Sequence, residues 1–233
     1  GIGGRIGYVK IYGQRGPGIQ LDDTHGSITN FEIIPAVSNA RSSIFGNGGL
    51  GISLNPAAPA TPTPNDAGDG DTGPNGRQNH PVIESMQRAL DGLGDERLTV
   101  RLRLESRPNR AYRLQFFTSS ACDPSGYGEG EVVLASEFDE NGGELLTDAN
   151  GLFSGTVTLG GQGINTLLDR LDGRPFVTVL ATDASDSTTG EGGNTSEFSP
   201  CYDARSLDPP GQQLGFEQRE YTFREGQTAS VLV

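Results

Sequence analysis

The sequence predicts an all-β protein in which a short parallel β-helix end is followed by an antiparallel, immunoglobulin-like β-sandwich and a C-terminal β-strand tail. Three observations carry that expectation. Thirty-five Gly and fourteen Pro in 233 residues favour turn-dense β-structure over helices. Ile, Val, Leu and Phe recur in compact alternating runs everywhere except 56–80, which argues against disorder. The character of those runs also changes across that gap, from short Gly-punctuated strands before Asn55 to longer alternating strands after Pro81. A hydrophobic share of 33% is low for one large globule and suits two β-units with modest cores.

Residues 1–55 hold RIGYVKIYG, GPGIQLDD, GSITNFEII and SSIFGNGGLGISLN, short β-branched runs each closed by Gly, Asn or Asp. A GIxL unit occurs twice, as Gly18-Ile19-Gln20-Leu21 and Gly51-Ile52-Ser53-Leu54. Recurrence of that kind suggests stacked coils whose apolar residues point inward at equivalent places, the alternative being a meander of hairpins. The phrase NGGLGI-L resembles the last rungs of right-handed parallel β-helix repeat proteins that bacteria secrete. A stack this short cannot bury its own faces. Its lower end is therefore expected to be capped by the connector and the sandwich, and its end near Gly1 to be open.

The connector 56–80 sets Asn65, Asp66, Asp69, Asp71 and Asn75 within eleven residues, among Gly68, Gly70 and Gly73. Carboxylate and amide oxygens on a tight, Gly-permitted turn are what Ca2+ requires, although the bidentate Glu of an EF-hand is missing. A solvated acidic turn is the other reading of the same residues. NDAGDGDTGPNGRQNHPV also resembles the linker that succeeds the repeats in the same protein group.

From 81 to 205, PVIESMQRAL, RLTVRLRLES, AYRLQFFTS, EVVLASEF, ELLTD, LFSGTVTL, PFVTVLATD and TSEFSPCYD read as strands. Leu98, Val100, Leu102 and Leu104 share one face, with Thr99, Arg101, Arg103 and Glu105 on the other. In GINTLLDRLDG, Ile164, Leu167, Leu168 and Leu171 instead have helical spacing, which predicts one short helical turn. FFTSSACDPSGYGEGE and GNTSEFS resemble the sandwich that comes after the repeats in those secreted proteins. The resemblance implies a module of large surface or extracellular proteins and transfers no catalytic residue.

After a Pro/Gly linker at 206–215, the tail 216–233 places Tyr221, Phe223, Ala229, Val231 and Val233 on one parity as one or two strands. It resembles the opening strands of a Calx-β module. An amphipathic edge of this kind seeks another sheet, so the tail is expected to join copies of this chain head to tail into a fibre, or to fold back on its own sandwich within a larger surface protein.

Composition narrows the function. A net charge of −13 repels nucleic-acid phosphate and anionic lipid and favours cations as company. Cys122 and Cys201, at strand margins in a chain without cytosolic metal or redox motifs, are expected to form a disulfide in a secreted protein. The chain carries no signal-peptide or membrane-spanning pattern and opens on GIGGRIG without Met, as a processed product or fragment would. His25 and His80 stand in no ligand or nucleophile spacing and read as surface or turn residues. The best carboxylate pair for a carbohydrate-active enzyme is Asp22-Asp23, but no Trp supplies a sugar platform. Asn194-Thr195-Ser196 is a formal glycosylation sequon. The expected function is therefore non-enzymatic: a structural protein of the cell surface or extracellular space, with a calcium-dependent adhesive module as the alternative.

Overall fold

The structure is a computed structural model that describes residues 2–7, 9–23, 28–34, 36–37, 40–41, 43–90, 96–137, 145–160, 171–185, 193–207, 218–222 and 228–232. It is all-β, with helical structure limited to short turns among these residues.

The N-terminal strands are β1 (Ile2–Gly7), β2 (Lys10–Tyr12), β3 (Ile19–Gln20), β4 (Ile28–Ile34), β5 (Ala36–Val37), β6 (Ala40–Arg41), β7 (Ser43–Phe45) and β8 (Ile52–Ser53). Three of the pairings among them are parallel and keep chain order: β1 with β4, β2 with β7 and β3 with β8. Each ladder has only two strands, and no closed sheet is formed among the described residues. The GIxL repeat lies in register, Ile19 opposite Ile52 and Gln20 opposite Ser53. Backbone hydrogen bonds run from Gly18 N to Leu50 O, from Ile19 N to Gly51 O and from Leu21 N to Ser53 O. Ile19, Leu21, Ile52 and Leu54 are accordingly buried in a single cluster. Gly18 is obligatory here, because a Cβ would stand 2.7 Å from Ile44 Cγ2 and 2.8 Å from Gly51 O.

The second unit comprises β9 (Val82–Leu90), β10 (Glu96–Glu105), β11 (Ala111–Ser119), β12 (Val132–Glu137), β13 (Leu145–Leu146), β14 (Leu152–Leu159), β15 (Phe176–Asp183) and β16 (Tyr202–Asp203). They form two antiparallel sheets, β14-β10-β9 and β12-β11-β15-β16, with β13 also paired to β11. The alternation read from the sequence holds. Leu98, Val100, Leu102 and Leu104 are fully buried and pack with Tyr112, Leu114, Phe116, Val177 and Val179 from the other sheet.

The stretch TSEFSPCYD departs from expectation, since only Tyr202–Asp203 is a regular strand. Residues 193–199 nonetheless run along β15, with Asp183 N donating to Asn194 O and Ser196 N to Ala181 O. Serine hydroxyls replace ladder carbonyls at two points: Val179 N donates to Ser199 Oγ and Ala181 N to Ser196 Oγ. Short side chains that compete for backbone partners in this way interrupt a ladder without leaving buried N–H groups unpaired. Of the predicted helical turn, Ile164, Leu167 and Leu168 lie outside the described residues, and Leu171 is buried in the core.

The tail forms a hairpin of β17 (Gln218–Thr222) and β18 (Thr228–Leu232), with Tyr221 opposite Ala229 and Arg219 opposite Val231. Phe223 and Val233 lie outside the described residues.

Candidate functional site

The two units meet on a shared apolar cluster. Ile44, Ile52 and Leu54 from the parallel strands pack with Phe117, Val133, Leu180 and Phe198, so β11 and β15 are covered on both faces. The contact is close enough to require Gly51, whose Cβ would lie 2.7 Å from the Phe198 ring. Phe198 in turn meets Phe117 edge-on at 5.3 Å, and Ile44 exchanges backbone hydrogen bonds with Gly130.

Two buried carboxylates beside this cluster, Glu129 and Glu197, and a third in the connector, Asp69, accept main-chain N–H groups. Glu129 is 6% exposed. It accepts Asn47 Nδ2 at 2.7 Å and Asn47 N at 3.2 Å, with the Gly46 N–H adding a further donor. Glu197 is 2% exposed and bridges Leu54 N and Thr63 N, one on each oxygen, both at 2.6 Å. Asp69 accepts Asn79 N at 2.9 Å and Ser106 Oγ at 3.0 Å, with Arg107 Nε 3.7 Å away. In each case burial pushes the carboxyl above its ordinary range, while the donated hydrogen bonds pull the other way. A carboxylate held by several N–H groups is a strong, geometrically fixed joint. It is left expensive if any donor loses its acceptor.

The connector is stitched by its own amides. Asn65 donates to His80 O and accepts His80 N, a reciprocal pair at 2.8 and 3.0 Å. Asn79 links Asp66 to Glu105 O, and Asp66 Oδ2 accepts Gly70 N. Asn75, fully buried at a positive φ, donates to Thr195 O. Asp71 is half-buried. The predicted cation residues are thus spread along the connector, and Asp69 and Asn75 are spent on the sandwich. Among the described residues no three His, Cys, Asp or Glu side chains converge as metal ligands.

His80 is buried rather than superficial. Its ring lies edge-on to Tyr127 at 5.3 Å, and burial alone lowers its pKa to about 4. His25 falls outside the described residues. Asp22 is exposed and Asp23 half-buried at the end of β3. Asn194 of the sequon is 4% exposed, so its amide is closed to a glycosyl donor in the folded chain. Cys122 and Cys201 are joined as expected, with Cα atoms 6.1 Å apart, and tie the loop carrying Glu129 to the segment carrying Glu197. No helix among the described residues is long and apolar enough to cross a membrane.

Sequence reasoning missed Glu129 and Glu197. Their signal in the sequence is slight: each carboxylate is flanked by small or aromatic residues, in Gly128-Glu129-Gly130 and Ser196-Glu197-Phe198. Comparison with protein-family models finds no match, and no curated protein matches the chain.

Proposed function

We propose that this chain is a non-enzymatic architectural segment of a secreted or cell-surface protein, in which an immunoglobulin-like sandwich caps the last coils of a right-handed parallel β-helix. The observation that carries the reading is the in-register stacking of Ile19 on Ile52, with Ile52 and Leu54 sealed beneath Phe198 and Leu180. Three successive parallel ladders are the pattern of one coil lying on the next. The Cys122–Cys201 disulfide is consistent with an oxidising, extracellular location.

Assembly belongs to the same proposal. β17 and β18 pair with each other, and an isolated two-stranded hairpin is marginal in water. Among the described residues neither strand pairs with a third, so the hairpin suits addition to a further sheet, in a second copy or in the next domain of a larger surface protein. Sedimentation of the full chain beside a 216–233 deletion tests this. Polymers that vanish on deletion support head-to-tail assembly, and a monomer in both cases removes it. Limited proteolysis tests the cap: release of 1–55 from an otherwise folded chain under native conditions would separate the units and sink the reading.

A calcium-dependent module is the second reading. It is favoured by Asp66 Oδ1, which is buried without a hydrogen-bond partner beside Asp69. A melting temperature that rises with added Ca2+ and falls with chelator supports it, and an unchanged one ends it.

A further inference from the structure

The two sandwich sheets end in strands whose outer edges meet no further strand among the described residues. Unpaired N–H and C=O groups on such an edge template the pairing of another chain unless a bulge, a charge, a proline or short length blunts them. β9 carries Glu84 and Arg88 and skips Glu84 in its register with β10. β12 skips Leu134 in its register with β11 and ends on Glu137, and β16 is two residues long. β14 has none of these devices. It runs LFSGTVTL without charge or proline, in unbroken register with β10 from Leu152 to Leu159. Its free groups follow from the turn that precedes it. Leu152 N donates to Asp148 Oδ1 and Leu152 O accepts Asp148 N, while Gly151 O accepts Ser106 N. The alternation of an antiparallel ladder then turns the backbone groups of Phe153, Gly155 and Val157 towards β10, and those of Ser154, Thr156 and Thr158 towards the open side.

We propose that the β14 edge is the acceptor for the tail of a second copy, with β18 adding to β14 and carrying β17 with it; this rests on the tail-mediated assembly proposed above. The tail hairpin pairs with no other strand of its own chain among the described residues, which leaves it available to a neighbour, and a third strand lends a two-stranded hairpin the stability it lacks alone. Of its two strands, β17 carries Arg219 and Glu220, whereas β18 is as free of charge as β14. Copies that each carry a net charge of −13 repel one another, so the contact that costs least is one between two uncharged strands. The sequences also alternate alike, a hydroxyl residue with a small or apolar one, in Ser154-Gly155-Thr156-Val157 and in Thr228-Ala229-Ser230-Val231. Strand addition of this kind reads main-chain groups first and side chains second.

The test is residue-resolved hydrogen exchange of the full chain at low and high protein concentration, beside the 216–233 deletion, with sedimentation of the same samples. The Ser154, Thr156 and Thr158 amides are expected to exchange at least about tenfold more slowly at high concentration and to lose that protection on deletion. The Phe153, Gly155 and Val157 amides, already held by β10, should stay slow throughout. Thr156→Pro removes an outward N–H and no bond to β10, and should weaken association at least about tenfold. Thr156→Ala keeps the backbone donor and should associate as the native chain does. Should the proline variant fail to fold, the exchange of the native chain decides alone. Tail-dependent polymers without protection at the three amides overturn this acceptor and leave head-to-tail assembly standing. A chain that is monomeric with and without its tail overturns both. Protection that does not vary with concentration puts the tail on its own sandwich and overturns the contact between copies.

Discussion

Acid should attack this protein first at His80, because the ring is buried and its protonation has no compensating partner. The folded chain holds the imidazole at a pKa of about 4, against about 6.5 in an unfolded chain. The unfolded state therefore binds a proton that the folded state refuses, and stability falls as pH drops from about 6.5 towards 4. At about 1.4 kcal/mol per unit, that gap amounts to roughly 3 kcal/mol by pH 4, and nothing above pH 7. Asp69, Glu129 and Glu197 act with the opposite sign. Burial raises each above its ordinary range, so the folded state takes up their protons more readily than the unfolded chain does, and their contribution grows as pH falls through the raised values. The wild-type curve mixes the two, and a difference isolates one. His80→Phe keeps a ring against Tyr127 and leaves the backbone pair with Asn65 intact while removing the titration. Urea unfolding at intervals from pH 7.5 to pH 4 should show a constant offset between variant and parent above about pH 6.5, moving in the variant's favour by up to roughly 3 kcal/mol at the acid end. An offset that stays flat across that range would refute a buried, neutral His80.

The remaining predictions concern the seam and its disulfide. Glu197→Ala leaves the Leu54 and Thr63 N–H groups buried without acceptors and should cost about 2–5 kcal/mol in urea unfolding, with loss of protection at both amides in hydrogen exchange. Gly51→Ala drives a methyl into the Phe198 ring and should cost about 1–3 kcal/mol. Phe198→Leu in the same chain should recover part of that loss, which a double-mutant cycle reads as coupling. Reducing the Cys122–Cys201 bond, which closes a separation of 79 residues, should lower stability by roughly 4 kcal/mol on the chain-entropy account, and a midpoint unmoved by reductant would contradict it.

What the sequence made legible was whatever depends on local pattern. The β10 alternation announced its own buried face, and β11 was bounded at Ala111 and Ser119 because apolar periodicity and flanking turns coincide there. The doubled GIxL unit marked two strands that pair in parallel with equivalent residues in register, Ile19 opposite Ile52. The segment Thr195–Ser199 looked like a strand for its alternation. No local pattern could show that Ser196 and Ser199 would spend their hydroxyls on the β15 backbone. The connector's carboxylates were noticed for their spacing, whereas their partners, Asn79 and Ser106 for Asp69, come from burial. Glu129 and Glu197 stayed hidden for the same reason: their donors lie 82 and 134 to 143 residues away in the chain.

That the seam is fastened by carboxylates on main-chain N–H groups has a consequence for what the sandwich recognises. At the Gly46–Asn47 turn and at the end of β8, Glu129 and Glu197 supply the acceptors for main-chain N–H groups. Apart from the Asn47 amide, these contacts read backbone rather than side chains. The side chains of the parallel strands enter through shape: Gly51 must stay small so that Phe198 can close on it, and Ile52 and Leu54 must fill the space beneath. A seam built this way tolerates change along the outward-facing residues of the parallel strands and resists it at Gly51, Glu129, Glu197 and Phe198. Substitutions such as Gln20→Ala, on an exposed position of β3, should therefore leave stability within about 0.5 kcal/mol, in contrast to the several kcal/mol expected at the seam.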